Sequence, residues 1–181
     1  MLMLAEYDIG RYSFNRTLFF IIETCYNDPL LTINQECVME CEFPTVNANN
    51  DEIRSILKDV KTIAVLGLSP DSTKDSYRVA EYLHNAGYTI FPVYPKEETI
   101  LGQKVYRSLE EIPFPVDMVN IFRKPDALNA IAETCVKRGD IKVFWAQKGI
   151  VNNEAAEYAH SSGMRVVQNQ CSMVEHRRIY S

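Results

Sequence analysis

The stretch 67-GLSPDSTKDS-76 places four hydroxyl side chains behind a single glycine. It follows an apolar run and precedes an amphipathic segment, so its backbone N–H groups would lie at a helix N-terminus, which favours anions. Two further stretches that contain cationic side chains, 94-YPKEE-98 and 122-FRKPD-126, also follow apolar runs. Hydroxyls, backbone amides and cationic side chains are the donors that phosphate oxygens accept. The three stretches therefore predict a site for a phosphate-bearing ligand.

Positive charge at such a site must be local, because the formal net charge of the chain is −5. This acidic balance argues against a nucleic-acid partner or an anionic membrane surface. The most apolar run, 18-LFFII-22, is far shorter than the ~20 residues of a membrane-spanning helix. Five cysteines without a C-x-x-C pair predict neither disulfides nor a zinc site, and they favour a cytoplasmic location. The three histidines are too widely separated to suggest a metal cluster.

Alternating strand and helix patterns from residue 51 onward would position these stretches. The predicted strands, numbered 1 to 6 in chain order, cover 62–67, 88–94, a short piece at 104–108, 116–122, 141–147 and 164–170. The predicted helices cover 51–60, 76–86, 125–139 and 153–162. This order predicts an α/β, Rossmann-like, doubly wound and mostly parallel sheet flanked by helices, with strand order 3-2-1-4-5-6.

The periodicity of residues 1–50 is mixed, so we expect an N-terminal extension there and one organised domain over 51–181. Met39 offers an alternative start, and we expect residues 1–38 to be dispensable for folding.

In this topology ligands bind outside the carboxyl ends of strands 1 and 4, where the winding reverses. The polar candidates there are Ser69, Ser72, Thr73, Ser76, Lys74, Arg78, Lys96, Arg123 and Lys124. Each has a structural alternative: Gly67 could serve the turn alone, Ser72 or Ser76 could cap the next helix, and Arg78 could be a solvated surface charge. Their convergence on one crevice favours the ligand-binding interpretation.

The end of strand 2 separates the cofactor classes. NAD binding would call for further glycines and for an acidic residue that holds the ribose diol. Here Gly67 stands alone, and Pro95 and Lys96 occupy the region of that acidic residue. A lysine suits a phosphate on the ribose, which NADP carries at the 2′ position and coenzyme A at the 3′ position. NAD is disfavoured, and these two ligands stay open.

Six successive segments resemble the motifs of the small bacterial CoA-binding proteins, single-domain relatives of the CoA-binding domain in the succinyl-CoA synthetase α subunit. The segments are GLSPDSTKDSYRVAEYL, FPVYPK, LGQKVYRSLEEIP, PVDMVNIFRKPD, WAQKGIVNNEAA and NQCSMVEH. The resemblance covers residues 51–178 and implies a Rossmann-like fold with coenzyme A or an acyl-CoA as ligand. The chain departs from the synthetase pattern at Pro70, where the synthetase has a glycine.

The resemblance also implies roles for individual residues. The CoA diphosphate would lie on the loop from Ser69 to Ser72, the ribose phosphate on Lys96, and a further contact on the loop after strand 4. The complete candidate site is Gly67, Leu68, Ser69, Pro70, Asp71, Ser72, Lys74, Ser76, Lys96, Phe122, Arg123 and Lys124.

No catalytic residue is assigned. Cys171 and His176 could form an activated thiolate pair, but no orienting group or oxyanion site accompanies them, and we expect their segment to close the end of the last strand. Trp145 is expected in the core or in a pocket wall, and Gln147 could contact a pantetheine arm or bond to backbone. The chain has no room for the phosphohistidine-bearing domain of the synthetase, so we expect no synthetase activity from it alone.

Three hypotheses follow. The favoured one is a CoA-binding module without intrinsic catalysis. The alternatives are an NADP-dependent oxidoreductase, and a ligase-related subunit or interaction protein completed by a partner chain. A homo-oligomer is compatible with each.

Overall fold

The computed structural model describes residues 43–180. The helices are α1 (Asn50–Asp59), α2 (Asp75–Asn85), α3 (Leu128–Arg138), α4 (Asn153–Ser161) and α5 (Ser172–Tyr180), with a 3-10 turn at Pro125–Ala127 before α3. The strands are β1 (Thr62–Leu66), β2 (Thr89–Val93), β3 (Thr99–Ile100), β4 (Gln103–Lys104), β5 (Met118–Ile121), β6 (Val143–Ala146) and β7 (Arg165–Val167). None of the helices in this range is long and apolar enough to cross a membrane. The expectation for residues 1–38 lies outside the described residues.

Five strands form one parallel sheet in the order β2-β1-β5-β6-β7. At their carboxyl ends, Leu66 pairs with Val93 on one side and with Ile121 on the other, and Ile121 pairs with Ala146. The winding therefore reverses between β1 and β5. The α/β, Rossmann-like class and the position of this reversal are confirmed.

The strand order differs slightly from the prediction at one edge, where a short strand was expected at 104–108. That strand is reduced to a single parallel bridge between Val93 and Tyr106. The residues before it form the antiparallel hairpin β3-β4 instead, with Leu101 and Gly102 at positive φ in its turn. Because the hairpin turns the chain just before Tyr106, only a short piece can lie alongside β2.

The core occupies both faces of the sheet, because successive side chains of a strand point in opposite directions. On β1, Ala64 and Leu66 pack on one face while Val65 packs on the other. Trp145 on β6 is fully buried, and its Nε1–H donates a 2.7 Å hydrogen bond to the carbonyl oxygen of Gln170. Of the two positions considered for Trp145, the structure shows the core.

The helix ends follow from local sequence. At α1 the side chain of Asn49 accepts a hydrogen bond from the Glu52 N–H, and the Glu52 carboxylate accepts one from the Asn49 N–H, which is a capping box. Asn152 caps α4 by accepting a hydrogen bond from the Ala155 N–H through its side chain. Gly87 follows the end of α2 with φ +98, a left-handed conformation that ends the helix.

The C-terminal segment differs from the prediction that 171–176 closes the last strand. β7 ends at Val167, and residues 172–180 form the helix α5. The apolar side chains of Met173 and Ile179, near the two ends of this helix, pack against the core. The helix also contacts α1 and α2.

Residues 43–49 lie against the start of α4 and along the edge of the sheet formed by β7. The Ala48 N–H donates to the carbonyl oxygen of Val166 at 2.8 Å. The side chain of Asn47 brackets the backbone of Gln168, donating to its carbonyl oxygen at 3.1 Å and accepting from its N–H at 2.9 Å. Contacts with the sheet thus begin before residue 51, and the predicted domain start there stays a prediction.

Candidate functional site

The turn after β1 requires glycine for two reasons. Gly67 has φ +88, and a Cβ there would lie 2.8 Å from the carbonyl oxygen of Phe122 and 3.0 Å from Cδ of Arg123. Its N–H donates to the carbonyl oxygen of Val93 at 3.0 Å, and the Phe122 N–H donates to that of Leu66 at 2.9 Å. The carboxyl ends of β1, β2 and β5 therefore meet at Gly67.

The hydroxyl-rich loop that follows is folded on itself. The Ser69 N–H donates to Oγ of Ser76 at 3.1 Å, and Oγ of Ser69 accepts from the Asp71 N–H at 3.2 Å. Oδ1 of Asp71 accepts from the Thr73 hydroxyl at 2.7 Å and from its N–H at 2.9 Å. These bonds from Thr73, the hydroxyl first, lower the pKa of the Asp71 carboxyl. Asp71 thus shapes the loop as an anion.

The remaining predicted residues of this loop differ in exposure. Leu68 is fully buried, so only its backbone could meet a ligand. Pro70, Ser72 and Lys74 are exposed. Lys74 itself is the residue that precedes α2, without a capping side-chain hydrogen bond. Ser76 therefore does not cap the helix, and its hydroxyl turns back into the loop.

A cleft of about 350 Å³ opens beside this turn, between the ends of β1 and β2 and the start of α3. Its wall is mostly apolar and is formed by Leu66, Gly67, Val93, Tyr94, Pro95, Arg107, Leu109, Glu110, Arg123, Ala127, Ala130, Ile131 and Thr134. We call it the first cleft. Gly67 and Arg123 belong to the predicted site. Arg107, Glu110 and Thr134 were not predicted from the sequence. Site residues were expected in the loops directly after the predicted strands 1, 2 and 4, and these three residues lie elsewhere.

Lys96 lies in the turn after β2, next to the lining residue Pro95. Its side chain is exposed and forms no ion pair within residues 43–180. Arg107 holds the turn by donating to the carbonyl oxygens of Lys96 and Glu97, both at 2.6 Å. The lysine expected at a ribose phosphate therefore directly follows a residue that lines the first cleft, and its ammonium has no ionic partner among the described residues.

A second cleft, of about 280 Å³, borders the same loop after β5. It is lined by Asp75, Arg78, Val79, Phe122, Gln147, Lys148, Ile150, Cys171, Met173 and Val174. Phe122 and Arg123, which are neighbours in the sequence, therefore line different clefts. Lys124 is exposed and precedes the 3-10 turn. Arg78 forms an ion pair with Asp75 on its own helix, which agrees with its alternative role as a surface charge.

Three buried polar side chains form a network at the second cleft. Nε2 of Gln147 donates to Oδ1 of Asn120 at 2.5 Å and to Oγ of Ser172 at 2.7 Å, and Nδ2 of Asn120 donates to the same Oγ at 3.1 Å. Polar groups that are this deeply buried need such partners. The side chain of Gln147 is therefore fixed by other side chains, and not by the backbone as one alternative had it. Asn120, a lone amide in an apolar strand, was the signal that could have revealed the network.

Residues 61–177 match the model of a family described as the CoA binding domain. The chain belongs to this CoA-binding family. The resemblance drawn from the six sequence segments is thereby confirmed.

The similarity to known proteins extends over most of the chain. YneT of Bacillus subtilis is 41% identical over 130 residues, which cover 72% of this chain and 96% of YneT. A solved hypothetical protein from Pyrococcus horikoshii is 38% identical with a TM-score of 0.72, covering 79% of this chain and 100% of its own. The alpha subunit of the ADP-forming acetate–CoA ligase II of Pyrococcus furiosus is 31% identical over 119 residues. That match covers 60% of this chain but 26% of the subunit.

In this CoA-binding domain, Cys171 and His176 do not form a pair. Nδ1 of His176 lies 3.0 Å from the Tyr82 hydroxyl oxygen, and the imidazole packs against the rings of Tyr88 and Tyr180. Burial lowers the pKa of His176. Cys171 lines the second cleft instead, and none of the hydrogen bonds among residues 43–180 joins it to His176. The described range also contains no cluster of three potential metal ligands.

Proposed function

We propose that the chain binds coenzyme A or an acyl-CoA at the carboxyl ends of β1, β2 and β5, without intrinsic catalysis. The observation that carries this proposal is the position of the first cleft, between the Gly67 turn and the turn that bears Lys96. The cleft lies where doubly wound sheets bind nucleotides, and its apolar wall suits a planar base. The family match favours CoA over other nucleotides.

The ligand's ribose phosphate would pair with Lys96. A charge-assisted contact of this kind contributes about 1.5–3 kcal/mol. Because 1.4 kcal/mol corresponds to about tenfold in affinity, the lysine alone accounts for roughly one to two decades. The negative charge of the whole chain makes this local cation all the more important.

The two clefts together suit a long ligand. A CoA molecule has a nucleotide end and a flexible pantetheine arm that carries two amide groups. With its base in the first cleft, the arm would cross the loop at Phe122 and Arg123 and enter the second cleft. There Gln147 offers a polar group that its buried partners hold in place.

Calorimetric titration of CoA, 3′-dephospho-CoA and NADPH into the wild-type chain and Lys96→Ala tests this proposal. Lys96→Ala should weaken CoA binding about tenfold or more, and it should hardly change the binding of dephospho-CoA, which already lacks the phosphate. Lys104→Ala is the matched control, because it removes an exposed lysine from the neighbouring hairpin. Its affinities should equal those of the wild type.

Two outcomes would contradict the proposal. If Lys96→Ala lost equal affinity for CoA and dephospho-CoA, Lys96 would not contact the ribose phosphate. Tighter binding of NADPH than of CoA would replace the ligand with NADP and revive the oxidoreductase hypothesis.

A ligase-related subunit is the second candidate, favoured by the similarity to the acetate–CoA ligase subunit. This chain spans about a quarter of that subunit, so the ligase activity is not carried over to it. The purified chain should form no thioester from CoA, acetate and a nucleoside triphosphate. Thioester formation by the chain alone would refute a purely binding role.

A further inference from the structure

The turn between β2 and β3 is organised by one side chain that the site prediction did not include. Nη1 of Arg107 donates to the carbonyl oxygens of Tyr94, Lys96 and Glu97 at 3.3, 2.6 and 2.6 Å. Its Nη2 donates to the carboxylate of Glu98 at 2.8 Å. Three backbone oxygens and one carboxylate of a five-residue turn therefore converge on a single guanidinium.

The turn needs this support because, within the described residues, backbone hydrogen bonds hold it only at its two ends, through the Tyr94 N–H and the Glu98 carbonyl oxygen. β2 ends at Val93, and Glu97 has φ +60, a left-handed conformation that residues other than glycine adopt at a cost. The carbonyl oxygens that point inward would otherwise depend on water. A planar guanidinium with several fixed N–H donors satisfies them together, which a single ammonium group cannot do equally well.

Arg107 is itself anchored from behind. The backbone N–H of Arg107 donates to the Glu111 carboxylate at 2.8 Å. Two backbone hydrogen bonds join the preceding residue, Tyr106, to the end of β2. The Tyr106 N–H donates to the carbonyl oxygen of Pro92 at 2.9 Å, and the Tyr106 carbonyl oxygen accepts from the Tyr94 N–H at 3.0 Å. The guanidinium thus reaches the turn from a segment that is fixed relative to the sheet.

We infer that Arg107 is a positioning residue for phosphate recognition: it fixes the turn so that the Lys96 ammonium is presented to the ribose phosphate of the ligand. The inference rests on the proposed function. Both Nη atoms of Arg107 already have acceptors, whereas Lys96 has no ionic partner in the described range. The two cations therefore have different tasks, one structural and one toward the ligand. A turn that is ordered beforehand spares the entropy of ordering it on binding.

A double-mutant cycle with Lys96→Ala, Arg107→Ala and the double variant tests the inference, with CoA and 3′-dephospho-CoA as titrants. Immobilising a flexible side chain costs about 0.5–1.5 kcal/mol, so Arg107→Ala should weaken CoA binding roughly two- to tenfold. It should change dephospho-CoA binding less than about twofold, because that ligand lacks the phosphate. In the Lys96→Ala background, adding Arg107→Ala should change CoA binding by less than about twofold, since the positioned group is already gone.

Arg107→Lys keeps the charge but loses the guanidinium fork, and it keeps the test decisive if Arg107→Ala does not fold. It should show the same phosphate-dependent loss at a smaller size. Lys104→Ala again serves as the control for removing a nearby cation. Melting curves of all variants establish that each is folded at the titration temperature.

Three results would overturn the inference. Equal losses for the two ligands would mean that Arg107 touches the ligand directly in the first cleft or supports the cleft as a whole. An undiminished effect of Arg107→Ala in the Lys96→Ala background would mean that the two residues act independently. Either of these two results would still be compatible with the proposed function, because the wild-type chain would still bind CoA. A wild-type chain that binds neither ligand would refute the proposed function and the inference together.

Discussion

Gly67→Ala should be among the more destabilising single-methyl additions to this chain. At φ +88 an alanine pays a conformational cost of about 1–2 kcal/mol. Its Cβ would also stand 2.8 Å from the Phe122 carbonyl oxygen, a backbone atom that can move only with the loop after β5. Inserting one carbon into a filled space costs about 1–3 kcal/mol. The free energy of unfolding should fall by about 3 kcal/mol.

Thermal unfolding followed by circular dichroism measures this loss. For a chain of this size, 1 kcal/mol corresponds to about 2–4 °C in Tm, so Gly67→Ala should melt roughly 6–12 °C below the wild type. Gly87→Ala is a matched control, because Gly87 also has positive φ, +98, but a Cβ there would meet nothing within 4 Å. Only the conformational cost applies to it, and its Tm should fall by about half as much.

The comparison between the two glycines decides the point. If Tm fell equally in both variants, the close contact between residue 67 and the loop after β5 would not contribute to the destabilisation. The argument that the strand ends are packed together at Gly67 would then be wrong. Titration of Gly67→Ala adds a functional reading. Displacing Phe122 and Arg123 should also weaken CoA binding, whereas Gly87→Ala should bind CoA like the wild type.

Two further predictions concern stability. Burial alone would raise the pKa of Asp117, but hydrogen bonds from the Lys61 N–H, the Lys142 ammonium and Thr62 lower it on balance. The stabilisation from these bonds is complete above the carboxyl's unfolded pKa of about 3.9 and is lost as the pH falls through the lower folded value. Asp117→Asn should therefore unfold more easily than the wild type at pH 7, and denaturant titrations should show the gap closing in acid; a constant gap would contradict the assignment. Deleting residues 1–38 should leave Tm within a few degrees, whereas a deletion extended to residue 48 removes the contacts with β7 and should lower Tm clearly; equal melting of the two truncations would refute the importance of those contacts.

The fold class was predictable because each buried run is rich in β-branched residues and each connecting segment has one apolar face. Gly67 and the loop after β5 could be placed together for the same reason, since parallel strands end at one edge of the sheet. The reduction of the predicted edge strand to a single bridge could not be foreseen, because the backbone of Leu101, at positive φ, turns the chain into a hairpin first. The sequence gives no sign that Leu101 adopts a positive φ, because leucine rarely does so.

The side-chain contacts around the two clefts could not be predicted, for a different reason. Arg107 acts on carbonyl oxygens about ten residues earlier in the chain, and backbone groups carry no sequence signature. Asn120, Gln147 and Ser172 meet only after three separate elements have packed, so their spacing says nothing.

The strap of residues 43–49 and the bridge at Tyr106 have a joint consequence for association. A parallel sheet with an open outer strand can accept a strand from another molecule, which is a common route to aggregation. Here the strap occupies hydrogen-bonding groups of β7, and Tyr106 occupies those of β2, so each border of the sheet is partly covered by the chain's own backbone. Strand addition between copies is thereby disfavoured at both borders. Association between copies of the described domain, residues 43–180, should then form through its helices and loops, and truncation into the strap should expose the β7 border and promote self-association.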